Sequence, residues 1–359
     1  MAAPKKRVGI LTGGGDCPGL NAAIRAVVKA GITVCNFEIF GIETGFEGLI
    51  QKRARPLTLE MVRGIINKGG TILGATRRHD PFQYNERAGE KSQTVDRSSL
   101  VLQHARELGL DALIVLGGEG TLGIADRLWK MGLPMVAIPK TIDNDLSGTD
   151  VAIGFRTAVM TAMEALDKLH STAESHHRVM VVEVMGNKAG WIALESGLAG
   201  GADVILIPEI PFSIEKACAK IAERKESGRP FSMVVVSEGA KAVGQGEVYQ
   251  DAERRRLGGV GQQVAAEIEK QTGLESRVLV LGHLQRGGSP ASFDRVLASR
   301  FGVHAVGLAA AGEFGKMVAL RKNEVEAIPI EEAVGKLNVV DPGGDLVRTA
   351  ESLGVSLGR

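Results

Sequence analysis

The sequence predicts an α/β protein of parallel sheets, divided into about two domains. Three observations point there. Short, mostly apolar runs such as residues 8–12, 112–116 and 179–184 recur along the chain, as in strands buried on both faces. Each is followed by a glycine-bearing loop and then by apolar residues at helical spacing. The chain has 359 residues, where a domain takes about 150. Strand, loop and helix in repetition imply sheets covered by helices on both faces.

Taken in order, residues 8–12 are the first strand, and Gly13-Gly14-Gly15-Asp16-Cys17-Pro18-Gly19 leads into a helix over 21–30. Glycines let a backbone approach a bound anion, and a helix start offers free N–H groups and a positive dipole end. The spacing fits neither the dinucleotide fingerprint nor the Walker loop. A tight structural turn is the plain alternative. Residues 34–40 read as the next strand. A second glycine loop, Gly69 to Arg78, ends in two cations, Arg77 and Arg78. Residues 81–97 are polar and broken, an exposed excursion rather than core. Residues 98–108 look helical and 112–116 form a buried strand. Gly117-Gly118-Glu119-Gly120-Thr121 follows, with Thr121 able to cap the helix that runs through Leu128 and Trp129. The strand over 135–138 then delivers Pro139-Lys140-Thr141-Ile142-Asp143-Asn144-Asp145 to a strand's carboxyl end, the edge where open α/β sheets bind ligands.

The second half keeps the rhythm. Phe155, Val159, Ala162, Leu166 and Leu169 share one face of a long helix over 155–175. The strand over 179–184 ends in Met185-Gly186-Asn187-Lys188-Ala189-Gly190. Further strands are read at 204–207, 233–236 and 278–281, with helices around 190–200, 213–226 and 259–271. Residues 243–261, rich in Gly, Gln and Arg, break the pattern as an insertion loop. Gly282-His283-Leu284-Gln285-Arg286-Gly287-Gly288-Ser289-Pro290 precedes a helix to about Ala311.

Composition excludes several classes. A net charge of +1 argues against a bulk electrostatic grip on nucleic acid or on an acidic membrane, so any anion site is local. Cys17, Cys35 and Cys218 are too scattered for a disulfide framework or a zinc site, and a reducing cytoplasm is the expectation. No apolar run approaches the ~20 residues of a membrane span.

The polar residues that stand out lie just past strand ends: Asp16, Arg77, Arg78, Glu119, Lys140, Asp143, Asp145, Arg178, Glu238, Arg277, His283 and Arg286. Asp143 and Asp145 are costly to hold together unless a cation compensates them. Mg²⁺-phosphate chemistry would do so, leaving one carboxylate to take a proton from an attacking hydroxyl. Glycine loops for phosphates and guanidinium groups for planar recognition suit phosphoryl transfer. Singly, each residue has a plain reading, such as a solvated surface arginine or a satisfied loop histidine.

Collectively, Gly14-Gly15-Asp16-x-Pro18-Gly19-x-Asn21-Ala22-x-Ile24-Arg25, Gly117 to Thr121, Thr141 to Asp145, Met185-Gly186 and Leu281-Gly282-His283-x-Gln285-Arg286-Gly287-Gly288 resemble the phosphofructokinase family. The motifs keep their order from about residue 7 to 300. The resemblance implies two parallel-sheet, Rossmann-like α/β domains with the active site in the interdomain cleft. Residues 1–154 plus about 285–335 would bind ATP and Mg²⁺, and about 155–284 plus 336–359 would bind fructose 6-phosphate. It implies transfer of the ATP γ-phosphoryl group to the C1 hydroxyl of that sugar, in glycolysis. Asp143 would be the general base and Asp145 would organise metal-bound phosphates. Thr141 and Gly14 would contact the transferred group, with Arg77 opposite. Gly14, Arg77, Arg78, Gly118, Glu119, Gly120 and Thr121 would hold ATP. Glu119 would be the Mg²⁺ ligand, where the family usually has Asp. Thr141, Ile142, Asp143, Met185, Gly186, Glu238, His283, Leu284, Gln285 and Arg286 would hold the sugar, with Asn187 standing where the family usually has Arg. Arg178 and Arg277 would be lent to a neighbouring subunit, which implies a homodimer or homotetramer. His170, Arg25 and Lys29 fall near the family's effector pocket.

The donor turns on two residues. Gly120 resembles the ATP-using branch, where a missing side chain leaves room for the nucleotide. Lys140 resembles the pyrophosphate-using branch. The pair looks like the mixed-substrate group, and steric exclusion favours ATP. Pyrophosphate is the alternative donor, and an NAD-kinase-like or lipid-kinase-like enzyme and a nucleotide sensor are the weaker readings.

Overall fold

Glycine loops can act together only if their strands end together, and parallel pairing arranges that in two separate sheets. The structure, a computed structural model, describes residues 5–76, 80–88, 91–251 and 256–359. It divides into two units. The first takes in the described residues up to Ile142, with Leu146–Arg156 and Arg286–Leu337. The second takes in Asp143–Asp145, Thr157–Gln285 and Asn338–Arg359.

Among the described residues, the first unit carries a seven-stranded sheet. Its order is Glu324–Pro329, Lys316–Arg321, Met135–Pro139, Ala112–Gly117, Arg7–Thr12, Glu38–Ile42, Ala54–Leu57. The five central strands pair in parallel, and those at 112–117 and 135–139 are buried along their whole length, as uniformly apolar runs require. Both outermost strands run antiparallel, so the expectation of parallel pairing throughout fails at the margins. Glu324–Pro329 alternates in burial, as an edge strand wetted on one face should. The expected strand at 34–40 is displaced. The helix Leu20–Thr33 runs on, Val34 stands 79% exposed, Asn36 turns the chain at a φ of 54°, and the strand is Glu38–Ile42. The described residues between 81 and 97 form regular structure, not a featureless polar excursion. A short turn, Pro81–Gln83, opens a hairpin of Tyr84–Ala88 with Lys91–Val95, and Tyr84 is buried in a core that Phe82 and Val95 also pack against.

The second unit has a four-stranded, wholly parallel sheet in the order Ser276–Val280, Val179–Val184, Ser232–Ser237, Val204–Leu206. Helices Trp191–Ala199, Ile214–Glu226 and Val260–Thr272 alternate with its strands. Glu183, buried mid-sheet, accepts hydrogen bonds from the backbone N–H groups of Gly259 and Gly261 and so caps the last of these helices. Within the supposed insertion loop, Tyr249–Asp251 pairs with Arg256–Leu257. At the other margin Ser356 bridges Val204 in parallel, exchanging backbone hydrogen bonds with Asp203 and Ile205. Among the described residues no helix is long and apolar enough to cross a membrane.

In the first unit, Leu20–Thr33 packs along Ser292–Ala311, and Gly302 sits at their closest approach. A Cβ there would lie 2.7 Å from the Ala26 Cβ and 2.9 Å from the Ala23 carbonyl oxygen. Gly307, on the same helix, has none of the described residues within 4 Å of the equivalent position. Gly302→Val should therefore force the helices apart, cost about 1–3 kcal/mol and lower the thermal unfolding midpoint. Gly307→Ala should leave the midpoint unchanged or raise it. Equal midpoints for the two variants would refute this account of the crossing.

Candidate active site

In the first sheet, Arg7–Thr12 connects through its helix to Glu38–Ile42 on one side, whereas Ala112–Gly117 connects to Met135–Pro139 on the other. The connections leave adjacent strands in opposite directions. A crevice opens at such a reversal, beyond the carboxyl ends. Two glycine loops lie at it. Gly13 donates its N–H to Leu116 O at 2.8 Å, and Gly14, with a φ of 77°, donates to Thr76 O at 3.1 Å.

Thr121 sets how tightly these loops close. A Cβ on Gly13 would come within 2.7 Å of its hydroxyl, and one on Gly117 within 2.9 Å. Its predicted capping role is corrected here. Gly118 is the N-cap of the helix Glu119–Lys130, and Thr121 is buried inside the helix, wedged against both loops. The reason is steric, because only a residue one turn inside the helix reaches Gly13. Gly118 lies against the next loop, its Cβ position 3.5 Å from Lys140 O and 3.9 Å from Thr141 Cβ. Gly120 differs. Its φ is not left-handed and a Cβ there would meet none of the described residues within 4 Å, so neither backbone nor packing among them demands glycine.

Lys140 is buried at the end of its strand. Its N–H donates to Gly117 O at 2.9 Å and its Nζ donates to Gly15 O at 2.5 Å, 3.4 Å from the Gly14 Cβ position. Arg286 reaches the same loop through a hydrogen bond to Asp16 O. Asn21, buried, accepts from Ile72 N–H and donates to the carbonyls of Lys68 and Gly69, pinning the start of the second glycine loop. Arg77 and Arg78, later in that loop, lie outside the described residues.

The chain passes from the first unit to the second between the buried Ile142 and the half-buried Asp143. Asn144, between the two carboxylates, is left-handed at a φ of 53°. Asn338, which no sequence motif singles out, donates its Nδ2 to Asn144 O at 2.8 Å and its N–H to Asp145 O at 2.9 Å.

In the second sheet the reversal falls between Val179–Val184, which connects toward Val204–Leu206, and Ser232–Ser237, which connects toward Ser276–Val280. Met185, Gly186 and Asn187 follow the first, and Glu238 the second. Gly186, at a φ of 139°, accepts the Ser237 hydroxyl at 2.6 Å, leaving no room for a side chain. Gln285 is fully buried and accepts the Met185 N–H at 2.8 Å. Asn187, His283 and Leu284 are exposed. Gln285 and His283 count with the second unit, whereas Arg286 counts with the first.

Arg178 and Arg277 are not past strand ends as expected, since the first precedes Val179–Val184 and the second lies within Ser276–Val280. Both converge on one carboxylate, Glu275, the first at 2.6 Å and the second through a closer contact. The hydrogen bond from Arg178 holds the Glu275 carboxyl below its ordinary range, with Arg277 and His176 adding to the pull. A ring nitrogen of His170 bonds Gly200 O. Glu209 accepts N–H groups from Gly190 and Val340, and burial nonetheless pushes its carboxyl above the usual range.

Among the described residues no cluster of three His, Cys, Asp or Glu could cage a metal. Glu119, half-buried in the first turn of its helix, offers one carboxylate. That fits Mg²⁺, which takes one or two protein carboxylates and fills its shell with phosphate oxygens and water.

A family model for phosphofructokinase matches residues 7–309. An ATP-dependent 6-phosphofructokinase of Chloroflexus aurantiacus is 51% identical, over 100% of this chain and 99% of that one. A pyrophosphate–fructose 6-phosphate 1-phosphotransferase of Amycolatopsis methanolica is also 51% identical, over 94% and 96%. Among solved structures, Pichia pastoris phosphofructokinase superposes with a TM-score of 0.79 at 33% identity. That match covers 92% of this chain and 35% of the Pichia chain, so this chain spans about a third of its length.

Cys17, in the first glycine loop, is fully buried with its thiol toward Ile153 O, and burial pushes its pKa up to about 12. Cys218 is pushed up to about 11 by its own burial, while Cys35 is half-exposed. At pH 8 a thiol reagent should titrate Cys35 alone, with the other two reacting only after unfolding. A fast-reacting Cys17 would mean the loop is open.

Proposed function

The chain belongs to the phosphofructokinase family, and from that premise we propose that it is an ATP-dependent 6-phosphofructokinase. It moves the γ-phosphoryl group of ATP to the C1 hydroxyl of fructose 6-phosphate as a step of glycolysis, in the cytoplasm. Gly120 carries the choice of donor. Among the described residues neither packing nor backbone geometry requires glycine there, so the position is open to a ligand. A nucleotide α-phosphate uses that space, and a carboxylate would fill and repel it.

The first unit binds the donor and the second the sugar. Gly14 and Gly118 offer a backbone surface free of side chains, and the N-terminus of Glu119–Lys130 adds a positive dipole end. Glu119 would hold Mg²⁺, which when bound neutralises charge on the donor phosphates. Asp143 takes the proton of the C1 hydroxyl, and Thr141 contacts the transferred group. Met185, Gly186, Glu238 and His283 orient the sugar. Arg178 and Arg277 serve a neighbouring subunit of a homo-oligomer, and Glu275 keeps both extended until a sugar phosphate competes for them.

Pyrophosphate is the second reading, and Lys140 favours it. Its ammonium group lies on the floor of the glycine loop, at Gly15 O, where a second phosphate could recruit it. Offering ATP and pyrophosphate in turn, with fructose 6-phosphate and Mg²⁺, decides between them. ATP should support the faster turnover, and turnover with pyrophosphate alone would reverse the assignment. Gly120→Asp should weaken ATP use far more than pyrophosphate use, and equal losses would remove the steric argument. Asp143→Asn should cut kcat by ~10² or more with little change in the sugar KM. Near-normal turnover in that variant would exclude Asp143 as the base.

A further inference from the structure

We propose that Asn338 is a positioning residue for the reaction, a clamp that aims Asp143 by fixing the backbone on its carboxyl side. The inference rests on the reading of Asp143 as the base. Asp143, Asn144 and Asp145 occupy one short turn whose middle residue is left-handed. That conformation is unfavourable for an L-residue, less so for Asn, and it persists only where surroundings hold it. Asn338 holds it at two successive peptide groups, donating its side-chain amide to Asn144 O at 2.8 Å and its own N–H to Asp145 O at 2.9 Å. These two peptide groups flank Asp145, so rotation of either would break one of the bonds, swing the Asp145 carboxylate and, through the left-handed Asn144, shift Asp143.

The clamp is itself anchored. The Trp191 indole N–H donates to Asn338 O at 2.9 Å, tying Asn338 to the first turn of Trp191–Ala199. Two residues on, the Val340 N–H donates to Glu209 Oε1 at 2.8 Å. The same carboxylate accepts the N–H of Gly190, the N-cap of that helix. One helix start thus fixes Asn338, and Asn338 fixes the turn. This helix begins just past the Met185-Gly186-Asn187 loop, so base and sugar loop share one frame within the second unit. The alternative is a tether that stabilises the fold and leaves the chemistry untouched.

The two differ in kinetics. Misplacing a catalytic group by about 1 Å can cost up to ~10² in rate. The test compares Asn338→Ala and Asn338→Leu, the second keeping side-chain volume without a donor or a new charge, each alone and combined with Asp143→Asn. Thermal unfolding is followed in parallel. Both single variants should lose about tenfold in kcat with both KM values within about twofold. In the Asp143→Asn background the same changes should cost nothing further, because no base remains to be aimed. If kcat holds within twofold while the unfolding midpoint drops, the clamp is only structural. A rise in KM alone, or a full additional tenfold loss in the Asp143→Asn background, also overturns the proposal. Should Asn338→Ala fail to fold, Asn338→Leu carries the comparison. Retention of turnover by Asp143→Asn alone would sink the base assignment whatever Asn338 does, so the two failures stay distinct.

Discussion

Parallel strands must finish on the same edge of their sheet, and in this protein most of the candidate ligand groups depend on that constraint. A chain that returns to the same edge after each strand brings loops from distant parts of the sequence beside one another. In the first unit the loops after residues 12, 117 and 139 become neighbours in this way, and in the second the loops after 184 and 237 do. Antiparallel strands are tolerated only at the margins of the first sheet, and the loop that follows one of them, Ala54–Leu57, returns to the crevice where Thr76 O accepts the Gly14 N–H.

Within that arrangement, side-chain volume is distributed with a purpose that packing explains in part. Gly13 and Gly117 are small because Thr121 occupies their space, and Gly186 is small because Ser237 does. These are obligations of the fold. Among the described residues Gly120 carries no such obligation, and its contrast with Gly13, Gly117 and Gly186 is more informative than the glycine content as a whole. The buried Lys140 belongs to the same economy of space, its ammonium supported by a backbone carbonyl of the loop it lies under.

Much of the architecture is legible in the residues because burial on both faces demands predominantly apolar strands. The runs at 8–12, 112–116, 135–138 and 179–184 become strands with shifts of a residue or so. Edge strands escape notice, since Ala54–Leu57 and Glu324–Pro329 are half-wetted and their pairing is decided by neighbours far along the chain. Thr121 misleads for a related reason. Its type suits a cap, but contact with Gly13 decides its place. The glycine loops and the Thr141 to Asp145 stretch announce themselves through residue types that are costly without a ligand. Asn338 and Glu275 do not. Each is one ordinary polar residue whose partners, Asn144 for the first and Arg178 for the second, are brought to it only by tertiary structure. Arg77 and Arg78, outside the described residues, leave that part of the reading where the sequence puts it.

The bridge between Ser356 and Val204 has a consequence for biosynthesis. Val204–Leu206 is the raw margin of a wholly parallel sheet, and its outward N–H and C=O groups are covered by a segment made long after it. At 5–20 residues per second a ribosome needs on the order of 10 s to travel from one to the other. Throughout that interval the nascent sheet displays an unsatisfied edge, the kind of surface on which neighbouring chains nucleate aggregates. The vulnerable period in the life of this protein is therefore set by the translation clock, and slow codons between the two segments would lengthen it.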